Sequence, residues 1–410
     1  MEENKILIRE DYLKQIRPFY DADLIKVIVG VRRAGKSVLL ENIKSELLAR
    51  GIRQDHMICI NLEDYDFIHI QTAKDLDLEI KNRIVDQDRY YLFLDEIQRV
   101  TDFERALASF RAVLNVSIFV TGSNSTLLSG ELATLLTGRA IEFEVYPFSF
   151  FEAKEWLELN HRPFNEDMIY DYIKWGGFPV RFQYTDESAI RKYLEQLSLG
   201  ITNIDLIPKT SKINRASFLK VESYIMANAG KEFSAESIVR YCKSNNNEEL
   251  SVRTINSYIS KMEKAFLIHP VDRYNISGKE ILKSRKKYYA VDTGLRTIQT
   301  NSIEYEDTFF LENIVYNELC QQGFKVFVGK TYRAEVDFVA VKNGKKCFIQ
   351  VSYLLASKET IAREFGAYQS VHDASPKYVL SLDRLDMSRD GITHMNLVDF
   401  LLHRKELMIS

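Results

Sequence analysis

Residues 24–51 read LIKVIVGVRRAGKSVLLENIKSELLARG. The apolar run from Leu24 to Val29 has the length and composition of a buried strand, and it leads directly into Gly30-Val-Arg-Arg-Ala-Gly35-Lys36-Ser37. That segment fits the pattern GxxxxGK[ST], in which the glycines let the backbone curl until its N–H groups face phosphate oxygens. The pattern assigns Lys36 to the β and γ phosphates and the Ser37 hydroxyl to magnesium, with Gly30, Arg33, Gly35 and Val38 completing the nucleotide contacts. The expected helix after the loop adds its positive N-terminal end. It carries apolar residues at Val38, Leu39, Ile43, Leu47 and Leu48, runs to about Arg50 and stops at Gly51. A strand, a glycine loop and an amphipathic helix in this order point to a parallel α/β sheet that grips a nucleoside triphosphate.

The next segments support that sheet. A second strand is expected in HMICINLED, residues 56–64, and a third in RYYLFLDEIQRV, residues 89–100. The run Tyr90 to Leu94 is apolar on both faces, as a central parallel strand requires, and ends in Asp95-Glu96. Asp95 is placed to hold magnesium and Glu96 to orient or deprotonate an attacking water. The competing reading of this pair, an acidic helix cap, is weakened because Thr101-Asp-Phe-Glu104 has the spacing of a capping box for the next helix. The strand VSIFVTGSN, residues 116–124, ends in Ser123 and Asn124, either of which can contact the γ-phosphate or the water, or cap a helix. Arg139 follows a glycine at the start of a further apolar strand. It reads either as a catalytic cation acting from a neighbouring subunit or a moving lid, or as a solvated arginine.

These segments resemble a family of prokaryotic AAA-type ATPases that pair a GxRRxGKS P-loop and a DEIQ Walker B with a C-terminal domain of unassigned role. TGSN, LTGR, YPFSFFE and WGGFP also look like its recurring segments, so the resemblance covers nearly the whole chain. It implies ATP as ligand and an AAA fold at residues 1–150.

Composition sets the wider frame. A chain of 410 residues favours about two to four domains. With 46% apolar and 28% charged residues it is expected to fold throughout. A net charge of -3 excludes a generally basic body, so any nucleic-acid contact must come from a local patch. Cys59, Cys242, Cys320 and Cys347 lack metal-type spacing and read as reduced thiols, and no apolar run approaches the roughly 18 residues a membrane span needs. A cytoplasmic protein is expected.

After Pro147 the pattern becomes helical and aromatic, and a lid or connector is expected over 151–212. Residues 213–295 then present three short helices and a hairpin, the order of a winged helix-turn-helix, in agreement with the family resemblance. The third helix, with Val252, Ile255, Ile259, Met262 and Phe266 as its apolar stripe, would offer Arg253, Thr254, Asn256, Ser257 and Lys261 outward. Lys279, Lys283, Arg285, Lys286 and Lys287 would make a basic wing, read either as a contact with DNA phosphates or as an edge strand protected by lysines.

Residues 296–410 are expected to form a small α/β domain. In AEVDFVAVKNGKKCFIQVSY, residues 334–353, Asn343-Gly344 is a type I′ turn signal that sets Asp337 opposite Gln350 and Glu335 opposite Ser352. With Glu312 on the preceding helix, this resembles a restriction-endonuclease-like core. Such a core uses Asp, then Glu-x-Lys, and this chain has Asp337, then Gln350-Val351-Ser352. A degenerate site of Glu312, Asp337 and Gln350 is expected, with Lys358 or Lys377 as candidate substitutes for the missing lysine.

The expectation for the whole is therefore a magnesium-dependent, ATP-binding P-loop protein. It would couple nucleotide state to a winged helix and a nuclease-like domain on DNA, or serve as a slow nucleotide switch for a protein partner. An oligomer is the natural setting for an arginine supplied by a neighbour.

Overall fold

The computed structural model describes residues 5–124, 138–207, 213–246, 250–299, 307–332 and 334–410. The chain divides into two compact units, one of Met1–Tyr146 with Lys264–Phe266 and one of Pro147–Glu263 with Leu267–Ser410.

The first unit is built on five parallel strands: β1 (Ile25–Val29), β2 (Met57–Asn61), β3 (Tyr90–Asp95), β4 (Val116–Gly122) and β5 (Ala140–Glu144), in the order β2-β3-β4-β1-β5. Among the described residues, four helices accompany them: α1 (Glu10–Ile16), α2 (Lys36–Ala49), α3 (Ala73–Arg83) and α4 (Phe103–Val113). Strands β1 and β3 are buried along their whole length, which is why they read as continuous apolar runs rather than alternating ones. On α2 the buried face is Leu39, Leu40, Ile43 and Leu47, while Val38 and Leu48 are 36% and 38% exposed and fall outside the stripe expected for them. The expected capping box at Thr101 does not form. Asp102 caps α4 with φ 56° and no side-chain bond, and Thr101 instead pairs with Thr72, so the cap offers no argument about Asp95-Glu96.

The second unit contains helices α5 (Phe150–Leu159), α6 (Met168–Trp175), α7 (Glu187–Ile201), α8 (Arg215–Ala227), α9 (Ala235–Asn246), α10 (Val252–Lys264), α11 (Thr293–Gln299), α12 (Asp307–Gln321), α13 (Lys358–Gly366) and α14 (Leu397–Leu401). Its strands are β6 (Ile268–Asn275), β7 (Glu280–Ala290), β8 (Lys325–Lys330), β9 (Glu335–Lys342), β10 (Lys345–Val351), β11 (Lys377–Ser381) and β12 (Thr393–Asn396). They form one seven-stranded sheet in the order β12-β11-β10-β9-β8-β6-β7. The hairpin expected to be a wing is therefore not free: β6 pairs in parallel with β8, and the sheet crosses the boundary expected near residue 295. On α10, Ile255, Tyr258, Ile259 and Met262 are buried but Val252 is 37% exposed, so the stripe begins one turn later than expected.

The β9-β10 hairpin follows its sequence signal closely. Asn343 and Gly344 have φ 53° and 77°, the two positive angles of a type I′ turn, and the register runs from Lys342 opposite Lys345 to Phe338 opposite Ile349. Asp292 ties WGGFP to the start of α11: its carboxylate accepts N–H bonds from Gly177, Gly294 and Leu295 at 2.6, 2.8 and 3.3 Å. A Cβ on Gly176 would lie 2.1 Å from the same carboxylate, so this dipeptide leaves no room for a side chain. Among the described residues no helix is long and apolar enough to cross a membrane, and the four cysteines are free.

Candidate nucleotide site and carboxylate cluster

The P-loop lies at the carboxyl edge of the five-stranded sheet, between the end of β1 and the start of α2. Gly30 has φ 138°, and a Cβ there would meet the Val145 carbonyl oxygen at 2.2 Å, so both backbone shape and close packing demand glycine. Arg33 and Gly35 also have positive φ, 69° and 102°, which turns successive N–H groups to one side. Lys36 is 5% exposed and its Nζ donates to the carbonyls of Gly30 and Val31 at 3.0 and 3.3 Å, a curled position over the loop it would share with phosphate. Ser37 and Val38 are exposed in the first turn of α2.

Beneath the loop, Arg9 is 1% exposed and its guanidinium donates to the carbonyls of Ala34 and Tyr146, both at 3.0 Å. Tyr146 in turn donates its N–H to the Tyr12 hydroxyl at 3.0 Å. The loop is thereby tied to Val145 and Tyr146, the end of the Met1–Tyr146 segment of the first unit.

Asp95 and Glu96 sit at the end of β3 on the same edge, 8% and 9% exposed. Thr121, on the neighbouring β4, joins them: its hydroxyl donates to Asp95 and accepts the Glu96 N–H at 2.9 Å. Glu96 adopts φ 56°, ψ 48°, and its carboxylate accepts a bond from Gln98 Nε2. Ser123 and Asn124 follow at the end of β4, as the parallel sheet requires. A basic rim of Arg32 and Arg99 brackets Glu63 at 3.6 and 2.7 Å; burial raises the Glu63 carboxyl, but the Arg99 bond and the arginine charges outweigh it and hold the group below its ordinary range.

Arg139 stands at the amino end of β5, where its carbonyl accepts the Ile25 N–H, so the length of β1, about 15 Å, separates it from the phosphate edge. It does not join the P-loop within one unit. Thr121 and Gln98 were not anticipated. Thr121 was legible as the polar residue that ends the apolar run Ile118–Val120, one step beyond the Val120 that pairs with Leu94.

In the second unit Glu312 and Asp337 are 4% and 7% exposed. Asp337 Oδ2 accepts the Val351 N–H at 2.8 Å, and the Asp337 N–H donates to Gln350 Oε1 at 3.2 Å, so the expected juxtaposition is met through side chain to backbone bonds. Glu335 does not meet Ser352. It turns to Lys287 Nζ, 2.7 Å away, while the Ser352 hydroxyl donates to the Leu354 carbonyl. Lys287, assigned to an exposed wing, is 5% exposed and also lies 3.8 Å from Glu312, whose Oε2 accepts the Tyr289 hydroxyl at 3.2 Å. The side chains of Lys283 and Arg285 lie outside the described residues. Lys358 and Lys377 border a different cleft with Arg389, and the Lys377 ammonium donates to the Asp373 carbonyl, so neither replaces the missing lysine.

Burial dominates the electrostatics of this cluster. It raises Glu312 to about 7 against the pull of Lys287 and Tyr289, and pushes Asp337 well above the carboxylate range with help from Glu312. Lys287 is held charged: burial opposes the ammonium, and Glu312, Asp337 and Glu335 together outweigh it.

Comparisons with known proteins follow this division. Residues 22–154 match the AAA domain family, so the first unit carries an AAA-type P-loop ATPase domain. Residues 166–304 match a domain of unknown function, DUF8612. An uncharacterized protein of Haemophilus influenzae is 33% identical over 402 residues, covering 97% of this chain and 99% of that one. This chain belongs to its family. An uncharacterized protein of Methanocaldococcus jannaschii extends the family to an archaeon, at 32% identity over 84% of this chain and 78% of its own. Similar solved structures include Cdc6p from Pyrobaculum aerophilum, with 11% identity, TM-score 0.33 and coverage of 77% of this chain and 96% of that one. The Aeropyrum pernix ORC1 protein in complex with DNA has 12% identity and TM-score 0.32 over 72% and 93% of the two chains. AMPPCP-bound DnaA from Aquifex aeolicus has 16% identity and TM-score 0.34 over 62% and 86%.

Proposed function

We propose that this protein binds ATP with magnesium on the Gly30–Ser37 loop and hydrolyses it, passing the change to its second unit. The observation that carries this reading is the meeting of the P-loop with the Asp95, Glu96 and Thr121 group at one sheet edge. The donor set suits the metal: Ser37 offers an exposed hydroxyl and Asp95 a carboxylate held by Thr121, hard oxygen donors of the kind magnesium prefers. When bound, magnesium would neutralise charge on the β and γ phosphates. Lys36, released from the carbonyls of Gly30 and Val31, would take up a phosphate oxygen. Glu96 would accept the proton of the attacking water, and Asn124 would orient that water or the γ-phosphate. Arg139, remote in its own unit, acts in this scheme only on a neighbouring subunit's nucleotide.

Coupling is supported by the ties from the P-loop to Val145 and Tyr146. A shift of the loop on binding phosphate pulls on the end of the first unit through Arg9. In the second unit, α8, α9, α10 and the β6-β7 hairpin keep the element order of a winged helix, with Arg253, Asn256 and Ser257 exposed on α10. DNA is the partner this surface suits. The wing is less basic than its sequence suggests, because Lys287 is internal.

A second reading, a slowly turning nucleotide switch for a protein partner, is favoured by one contact: Gln98 occupies the Glu96 carboxylate. Hydrolysis by wild type and Glu96→Gln, with and without duplex DNA, separates the two. The motor reading expects turnover stimulated by DNA and lost in the variant. An unchanged rate in Glu96→Gln removes the proposed base.

A further inference from the structure

The second unit contains a buried charge cluster that its motif does not explain. A hydrolytic core of the kind resembled by Glu312, Asp337 and Gln350 uses carboxylates open toward a divalent metal, with a lysine alongside. The residues present here do not fit that metal. The Asp337 carboxylate already accepts the Val351 N–H, and Gln350 Oε1, the carbonyl that sequence offered as a ligand, is taken by the Asp337 N–H. The position that a metal would share among the acids is served by a side chain from β7.

We propose that Lys287 is the resident cation of this cluster, and that the cluster works without a divalent metal as an ion-pair junction binding β7 to β9 and α12. Lys287 brings its ammonium to Glu335 at 2.7 Å and to Glu312 at 3.8 Å while only 5% exposed. A charge so far from water persists only when paired, and these carboxylates pair it. Arg273 on β6 supplies a second internal cation: it is 6% exposed, lies 3.5 Å from the other oxygen of Glu335 and pairs with Glu232. Tyr289, two residues beyond Lys287 and on the same face of β7, donates to Glu312, so one strand contributes both the cation and a neutral donor to a single acid. A dication bound to these acids would be repelled by Lys287 and Arg273, which share Glu335, in surroundings that screen like charges poorly. In the cleft of about 530 Å³ beside Glu335, Asp337 and Gln350, the Glu335 carboxylate and Gln350 Oε1 therefore already have partners, as does Asp337 Oδ2. This inference is independent of the ATPase reading.

The test is Mn²⁺ binding by the full chain without nucleotide, followed by electron paramagnetic resonance and by melting temperature. Wild type and Asp337→Asn are expected to bind equal amounts of Mn²⁺. Lys287→Met keeps the length of the stem but removes the charge, and is expected to bind one Mn²⁺ more than wild type and to melt higher with Mn²⁺ than with EDTA. Mn²⁺ held by wild type and lost in Asp337→Asn overturns the proposal, as does a folded Lys287→Met that takes up none. Should Lys287→Met fail to fold, plasmid nicking decides: Mn²⁺-dependent nicking by wild type that Asp337→Asn abolishes overturns the proposal, and its absence in wild type supports it.

Discussion

The Glu96 N–H donates to the Thr121 hydroxyl at 2.9 Å. Because that hydroxyl also donates to Asp95, one buried threonine on β4 sets both acidic residues at the end of β3. Thr121→Val keeps the shape of the side chain and removes both bonds. The loss leaves the Glu96 N–H unsatisfied, at about 1–3 kcal/mol of stability. Turnover of ATP should fall by on the order of 10²-fold through misplacement of Glu96, with nucleotide affinity little changed because Lys36 and the loop N–H groups are untouched. Steady-state kcat and KM measure the two effects separately, and an unaltered kcat would remove Thr121 from the site.

Gln98 restrains Glu96 by donating to its carboxylate. Gln98→Ala frees that carboxylate for water, so the rate of ATP hydrolysis in a single turnover should rise by about tenfold, the size of one hydrogen bond to a charged group. A lower rate would mean that Gln98 holds Glu96 in its working position.

Lys26 is wholly buried in β1, with its ammonium 2.7 Å from Ser117 Oγ and 4.6 Å from the centre of the Phe119 ring. Burial, aided by the charge of Arg89, lowers its pKa from 10.5 to about 7. Between those two values the unfolded chain holds more protons than the folded one, so this group makes stability rise with pH. The penalty is full below the folded pKa and vanishes above the unfolded one. Lys26→Met should be more stable than wild type near neutrality by a few kcal/mol, with the gap closing toward pH 10. Urea midpoints at neutral and alkaline pH test this, and a constant difference between the two proteins would contradict it.

Asp292 is 3% exposed and accepts three backbone N–H bonds, one from Gly177 of WGGFP and two from Gly294 and Leu295 at the start of α11. Asp292→Ala should cost about 3 kcal/mol or more, since three buried donors lose their acceptor together. Its folded pKa is raised to about 6, chiefly by burial, so the folded state gains protons as pH falls toward 4 and this group alone favours folding over that interval. Thermal melts at pH 7 and 5 should show the difference between wild type and variant changing between them, and pH-independent melting differences would rule out a buried carboxylate as the cause.

Several features of this protein were legible in short segments of chain. The apolar strand, the glycine loop and the capped helix at residues 24–51 each obey rules of a few residues' range, and Asn343-Gly344 imposed the register of β9 and β10 by turn geometry. Asp95-Glu96 was visible for the same reason, as polar residues ending a run that is apolar on both faces. The misreadings share a different cause. Lys287 looks like a member of a basic run and lies in an acidic interior, and Glu335, set opposite Ser352 by the turn, points instead to Lys287. Thr121 carries no motif, yet acquires its role from a neighbouring strand 26 residues away in sequence. Local pattern specifies backbone conformation and which face is apolar, because those depend on φ, ψ and alternation. Strand order, and therefore which charges share a low-dielectric space, depends on how distant segments assemble: Glu335, Glu312 and Lys287 come from β9, α12 and β7, and nothing within any one of those segments encodes their meeting.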